Sequence, residues 1–177
     1  RVFDEAREFG ISIQTYTATH ILTEQDNEDL HTYVQIQKLP YRIVEDVVKA
    51  LEEEPPKILA LNYRDPGRIQ EFRSYMEPSC QGKLDLFLSH AALLEFVPAG
   101  VNKGNAVRFL CGYLGIPVEH SVAAGDAEND LTMIRAAGIG AAMCNGEDFL
   151  KEAADYITRA DNNHDGVAEI LEKCILN

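Results

Sequence analysis

Four side chains able to bind or move charge stand within five residues of this sequence. Asp126, Glu128, Asn129 and Asp130 lie in GDAEND, directly after the small apolar run SVAA. A strand ending in a glycine-relieved turn would place Asp126 at the carboxyl end of that strand, where parallel sheets bind ligands. A carboxylate there suits a hard cation such as Mg²⁺, which takes oxygen ligands and keeps several waters. Asn129 and Asp130 follow at three and four residues and share the face of a first helical turn with Asp126. The same spacing also describes a plain helix start, with Asp126 as N-cap and Glu128 and Asp130 favoured by the helix dipole. Lys103 raises a parallel question. It follows a good N-cap, Asn102, and so sits where the dipole disfavours a cation. A bound anion would offset that cost, since helix N-termini take phosphates; a solvated surface lysine would simply tolerate it.

The elements needed to hold these groups are legible around them. VNKGNAVRFLCGYLGI predicts a helix with Val107, Leu110, Cys111 and Leu114 as one buried stripe, started by Asn102 and stopped by Gly115. The strand HSVAA follows, then a helix over ENDLTMIRAAG, a strand IGAAM and a helix GEDFLKEAAD capped by Asn145. A brief strand YIT and an amphipathic helix DGVAEILEKCIL complete the half. Alternating short apolar strands and helices predict a parallel sheet with flanking helices.

The first half is mixed. ISIQTYT and PPKILALNY predict strands, and NEDLHTYVQIQKL, RIVEDVVKALEEE and DPGRIQEFRSYM predict helices. KLDLFLSH and ALLEFVP predict a hairpin. The expected organisation is a small α+β module over residues 11–97, inserted between residues 1–10 and residues 98–177. Tyr16, Tyr33, Tyr63 and His90 are aromatic groups that could line a cleft, with packing as the plainer role for each.

Composition narrows the class. The chain has 177 residues and a net charge of −13, from 16 basic and 29 acidic side chains. Such an acidic chain is a poor partner for nucleic acid. No apolar run approaches the roughly 18–20 residues of a membrane span. The opening RVFDEAREFG is charged and helical in pattern rather than a signal peptide. It starts without Met, which suggests a fragment or a processed chain. Cys80, Cys111, Cys144 and Cys174 form no CxxC pair and are expected as free thiols in a reducing, cytoplasmic setting.

Taken together, VNKGNAVRFLCGYLGI, GDAEND, GIGAAM and DGVAEIL resemble the carboxyl-terminal part of a haloacid dehalogenase superfamily phosphatase of the Cof type. The resemblance runs almost unbroken from Ala99 to Leu171, and the first half fits the family's C2B cap in pattern and position more than in residues. It implies an α/β fold: part of a Rossmann-like core plus the inserted α+β cap. It also implies a Mg²⁺-dependent phosphomonoesterase for small phosphorylated metabolites such as sugar phosphates. An aspartate would attack phosphorus, water would cleave the aspartyl-phosphate, and a second aspartate would serve as general acid and base. Asp126 would hold the Mg²⁺, Lys103 and Asn129 would contact the phosphoryl group, and Asp130 would support them.

One part of the pattern is missing. These residues contain no DxDGT-like nucleophile motif, and the aspartate nearest the start, Asp4, lies in a helical pattern with no glycine after it. The chain is therefore expected to hold half a site and to be inactive alone. The strand at residues 121–124 would then be an open edge, prone to self-association. A non-catalytic phosphate-binding or regulatory remnant, and a phosphomutase or sucrose-phosphatase-like relative, are the alternatives.

A second motif competes for attention. DNNHDGVAEILE, residues 161–172, matches a calcium-loop pattern. Its second half has the stripe of a helix, so a turn followed by a helix start is the expectation, with His164 in the turn.

Overall fold

The computed structural model describes residues 1–176 and divides the chain into two compact units, Arg1–Ala99 and the residues from Gly100 onward. The helix α1 (Val2–Phe9), which the sequence reading grouped with the second module, belongs to the first. The reason is its apolar stripe: Phe3 and Ala6 are buried in the same core as Ile13, Phe72 and Phe96.

The first unit is built on a six-stranded sheet in the order β3-β2-β1-β4-β6-β5. Its strands are β1 (Ser12–Tyr16), β2 (Ile21–Thr23), β3 (Tyr41–Ile43), β4 (Ile58–Leu61), β5 (Leu84–His90) and β6 (Leu93–Pro98). All pairings are antiparallel except β2 with β3. Period-two alternation gives each strand two faces. On one face Ile13, Leu22, Ala60, Leu94 and Phe96 meet α1, α3 (Val47–Ala50) and α4 (Pro66–Cys80) through Val47, Ile69, Phe72 and Met76. On the other, Ile21, Leu59 and Leu61 meet α2 (Glu28–Gln37) through Leu30 and Tyr33.

The strands and helices expected here are present, with one exception. RIVEDVVKALEEE is not a single helix. Tyr41–Ile43 pairs with Ile21–Thr23, and Val44 N–H donates to the Thr23 carbonyl at 2.9 Å. The helix that follows is one turn, started by Asp46, whose Oδ1 accepts from Lys49 N–H at 3.1 Å. The open edge of β2 captured a segment whose local pattern favoured helix.

The second unit carries a parallel sheet in the order β7-β8-β9: Val122–Gly125, Ile139–Ala142 and Tyr156–Ile157. The helices α6 (Leu131–Ala136) and α7 (Asp148–Ala153) cover one face through Ile134, Ala142 and Leu150. On the other face α8 (Gly166–Cys174) packs Ile170 against Ala141 and Met143. Because residues 166–174 are helix, the calcium-like stretch is a turn and a helix start, as its stripe implied.

The helix α5 (Lys103–Leu114) has the expected ends. Asn105 N–H donates to Asn102 Oδ1 at 2.8 Å, and Gly115 closes the helix in left-handed geometry at φ 66°. Its stripe differs from the expectation. Cys111 is buried, whereas Leu110 and Leu114 are exposed together with Phe109 and Tyr113. The strand β7 likewise has one unpaired edge among the described residues. All four cysteines are free thiols, and no helix among the described residues is long and apolar enough to cross a membrane.

Candidate active site

Lys103, Asp126, Asn129 and Asp130 all lie in the second unit, on the β7 turn and the start of α5. The turn is held from within. Gly125 ends β7, and Asp130, at the end of a short 3-10 turn over Glu128–Asp130, folds its carboxylate back over it. Asp130 Oδ2 accepts the backbone N–H of Asp126 at 2.9 Å and that of Ala127 at 3.3 Å. This fold-back requires Gly125: a Cβ there would lie 2.3 Å from Asp130 Cβ.

Asp130 Oδ1 takes the ammonium of Lys103. The carboxylate is 6% exposed and the lysine 48%, so the pair has one dry and one wet member. The start of α5 is seated by a close approach. Gly104 N–H donates to Thr132 Oγ1 at 3.0 Å, and a Cβ on Gly104 would lie 2.4 Å from the Thr132 carbonyl oxygen. Only glycine lets α5 come this near α6, and that approach brings Lys103 to Asp130.

Asp126 and Asn129 differ from Asp130. Both are partly exposed, and their side chains have no hydrogen-bond partner among the described residues. The structure thus brings Lys103, Asp130 and Asp126 together through one buried carboxylate, and places Asn129 on the same turn. Asp126 is not a helix cap: Ala127 precedes the 3-10 turn, and the Asp126 carboxylate accepts no backbone N–H among the described residues. Among the described residues no cluster of three or more His, Cys, Asp or Glu could hold a metal ion. A single free carboxylate does suit Mg²⁺, which is held through one or two carboxylates with waters and substrate phosphate completing its shell.

Two neighbouring loops, read in the sequence only as a helix cap and a turn, also rise at the carboxyl ends of the strands. Residues 143–147 follow β8, and Glu147 N–H donates to the Asp126 carbonyl at 3.0 Å. Asn145 does not cap α7. Its Oδ1 accepts from Asn162 N–H at 3.3 Å and its Nδ2 donates to Asn162 Oδ1 at 3.1 Å, while Glu147 precedes the helix. His164, in the turn after β9, pairs with Asp161 at 2.6 Å. That contact, with two backbone N–H donors, holds the Asp161 carboxyl below the usual carboxylate range. The aromatic candidates lie in the first unit. Tyr16 and Tyr33 share a hydrogen bond of 2.7 Å, and Tyr63 stands against His90 with ring centres 6.3 Å apart. Burial and the Tyr33 hydroxyl push the Tyr16 phenol far up.

The family model of haloacid dehalogenase-like hydrolases matches residues 1–171. The chain belongs to the haloacid dehalogenase-like hydrolase family. Among solved structures similar to this chain, a haloacid dehalogenase-like hydrolase from Bacteroides thetaiotaomicron is 34% identical with a TM-score of 0.81, over 97% of this chain and 64% of that one. A protein from Thermotoga maritima is 30% identical with a TM-score of 0.75, over the same shares, 97% and 64%. A phosphoglycolate phosphatase from Methanobrevibacter smithii is 42% identical over 94 residues, 53% of this chain and 39% of that enzyme. The chain therefore covers less than two thirds of the length of these relatives. The α/β architecture expected from the sequence agrees with the solved structures.

Proposed function

We propose that this chain is the larger part of a Mg²⁺-dependent phosphomonoesterase acting on small phosphorylated metabolites, with sugar phosphates as the first class to try. What carries the reading is the Lys103–Asp130–Asp126 arrangement. One buried carboxylate aims a lysine and fixes the backbone under a second carboxylate that is free to bind. Phosphoryl transfer needs charge neutralisation and in-line positioning above all. Lys103 and Asn129 would hold phosphoryl oxygens, Asp126 would hold Mg²⁺, and Asp130 would keep Lys103 and the Asp126 turn in register. When bound, the metal would supply charge neutralisation at the phosphoryl group. The nucleophile and the general acid would come from a DxDGT-bearing segment outside these 177 residues, which carry no such motif.

The missing motif also favours a second reading, a phosphate-binding module without turnover. Phosphate release from a generic aryl phosphate separates the two. It would be measured with and without Mg²⁺, on this chain and on the same chain joined to a DxDGT-bearing core segment. Turnover only in the joined form, lost in Asp126→Ala, supports the enzyme. No turnover in either form favours the binding module.

A further inference from the structure

We infer that Thr158 is a positioning residue, holding the Asp126 turn in place through the loop at residues 143–147. The inference rests on the reading of Asp126 as a metal carboxylate, and adds how that carboxylate is kept in place. Thr158 follows β9, two strands away from Asp126, and is 3% exposed. Its hydroxyl works in both directions, as a hydroxyl can: Oγ1 accepts the Cys144 N–H at 3.0 Å and donates to the Ala160 carbonyl at 2.6 Å. Cys144 thus has its backbone pinned from the far side of the loop.

The near side of that loop lies on Asp126. Met143 N–H donates to the Gly125 carbonyl at 2.9 Å, and Glu147 N–H to the Asp126 carbonyl at 3.0 Å. Between them Gly146 is so close that a Cβ would lie 3.0 Å from Asp126 Cα and 3.1 Å from its carbonyl oxygen. The loop is a spacer between Thr158 and the backbone of Asp126, tied again at its outer edge by Asn145 and Asn162. Removing the hydroxyl leaves the Cys144 N–H without its partner, and the loop must open to find water for it. Mg²⁺ demands near-ideal ligand placement, so a small displacement of Asp126 weakens binding.

The test uses the 177-residue chain and two readouts. Amide hydrogen exchange at Glu147 reports the loop without any metal, and Mn²⁺ affinity, by electron spin resonance, reports the carboxylate. Thr158→Val is expected to raise Glu147 exchange about tenfold, leave Ile134 exchange unchanged, and weaken Mn²⁺ binding several-fold. Thr158→Ser is expected to restore both. Glu147 exchange at the wild-type rate in Thr158→Val overturns the inference, as does a general rise that includes Ile134. Mn²⁺ binding that is absent in the wild type, or unchanged in Asp126→Asn, overturns the metal reading instead, with the exchange result deciding the loop. If Thr158→Val does not fold, Asn145→Ala decides, because it cuts only the exposed outer tie. It should raise Glu147 exchange about threefold, and no change there overturns the inference.

Discussion

Asp130 binds the backbone of its own turn and a lysine from another helix with one carboxylate: Oδ2 accepts Asp126 N–H at 2.9 Å, and Oδ1 takes Lys103 Nζ. Breaking a buried pair costs more than an exposed one, because the groups left behind lose their partners. Asp130→Ala should destabilise the second unit by about 2–3 kcal/mol, having stripped Asp126 and Ala127 N–H of their acceptor. Lys103→Met should cost less than about 1 kcal/mol, since the lysine is half in water. Urea unfolding of both variants checks the order, and a lysine variant costlier than the aspartate variant contradicts it.

Gly104 offers a steric test of the same assembly. Its Cβ would meet a backbone oxygen at 2.4 Å, which cannot swing away as a side-chain tip could. Gly104→Ala would be mild on an exposed helix, where alanine is the better former by about 1 kcal/mol. Here it should instead cost about 2–3 kcal/mol and weaken the proposed phosphate binding as Lys103 is pushed from Asp130. Thermal unfolding together with phosphate titration reads both, and a stabilised variant would remove the close approach from the account.

In the first unit, Glu24 joins three elements. It takes both Nε and a terminal nitrogen of Arg7, at 2.8 and 2.7 Å, and accepts Val47 N–H at 2.8 Å. The Arg7 guanidinium holds the Glu24 carboxyl below its ordinary value of 4.5, against the opposing effects of burial and of Asp46. A depressed carboxyl stabilises the fold above the unfolded value and loses that contribution as pH falls through the folded one. The loss should begin below pH 4.5 and deepen with further acid. Glu24→Gln should cost about 1–2 kcal/mol at neutral pH and flatten that acid limb. Stability measured across the acid range decides, and a limb of unchanged slope speaks against Glu24 as its source.

The exposed side of α5 and the free edge of β7 lead to the proposal that the isolated chain self-associates. Phe109 is 70% exposed and Tyr113 78%, with their rings stacked 6.2 Å apart. An unpaired strand edge and exposed apolar side chains are each association hazards. Sedimentation should show concentration-dependent species larger than a monomer, and Phe109→Lys with Tyr113→Lys should shift them to monomer. A wild-type chain that stays monomeric at high concentration would end this proposal.

What was legible in the sequence was local. Asn102 and Gly115 mark the ends of α5 because a cap depends on neighbours a few residues away. The GDAEND turn was legible for the same reason, but that Ala127 rather than Asp126 precedes the helical turn depends on how Asp130 folds back over it. The strand β3 was misread because its partner, β2, lies some twenty residues earlier and overrides a helical pattern. Leu110 and Leu114 look like core by spacing, yet spacing cannot say whether a neighbour is present to cover them. Thr158 gave no signal at all, because its work is done on Cys144, fourteen residues away.

The two units keep separate interiors: the largest apolar clusters of the first contain no residue beyond Ala99, and those of the second none before Gly100. Natural selection can therefore act on them at different speeds. The hydrogen bonds that set the Lys103–Asp130–Asp126 register are all made within the second unit. A lineage that keeps the second unit intact thus keeps that register as one inherited piece, whatever changes inside the first.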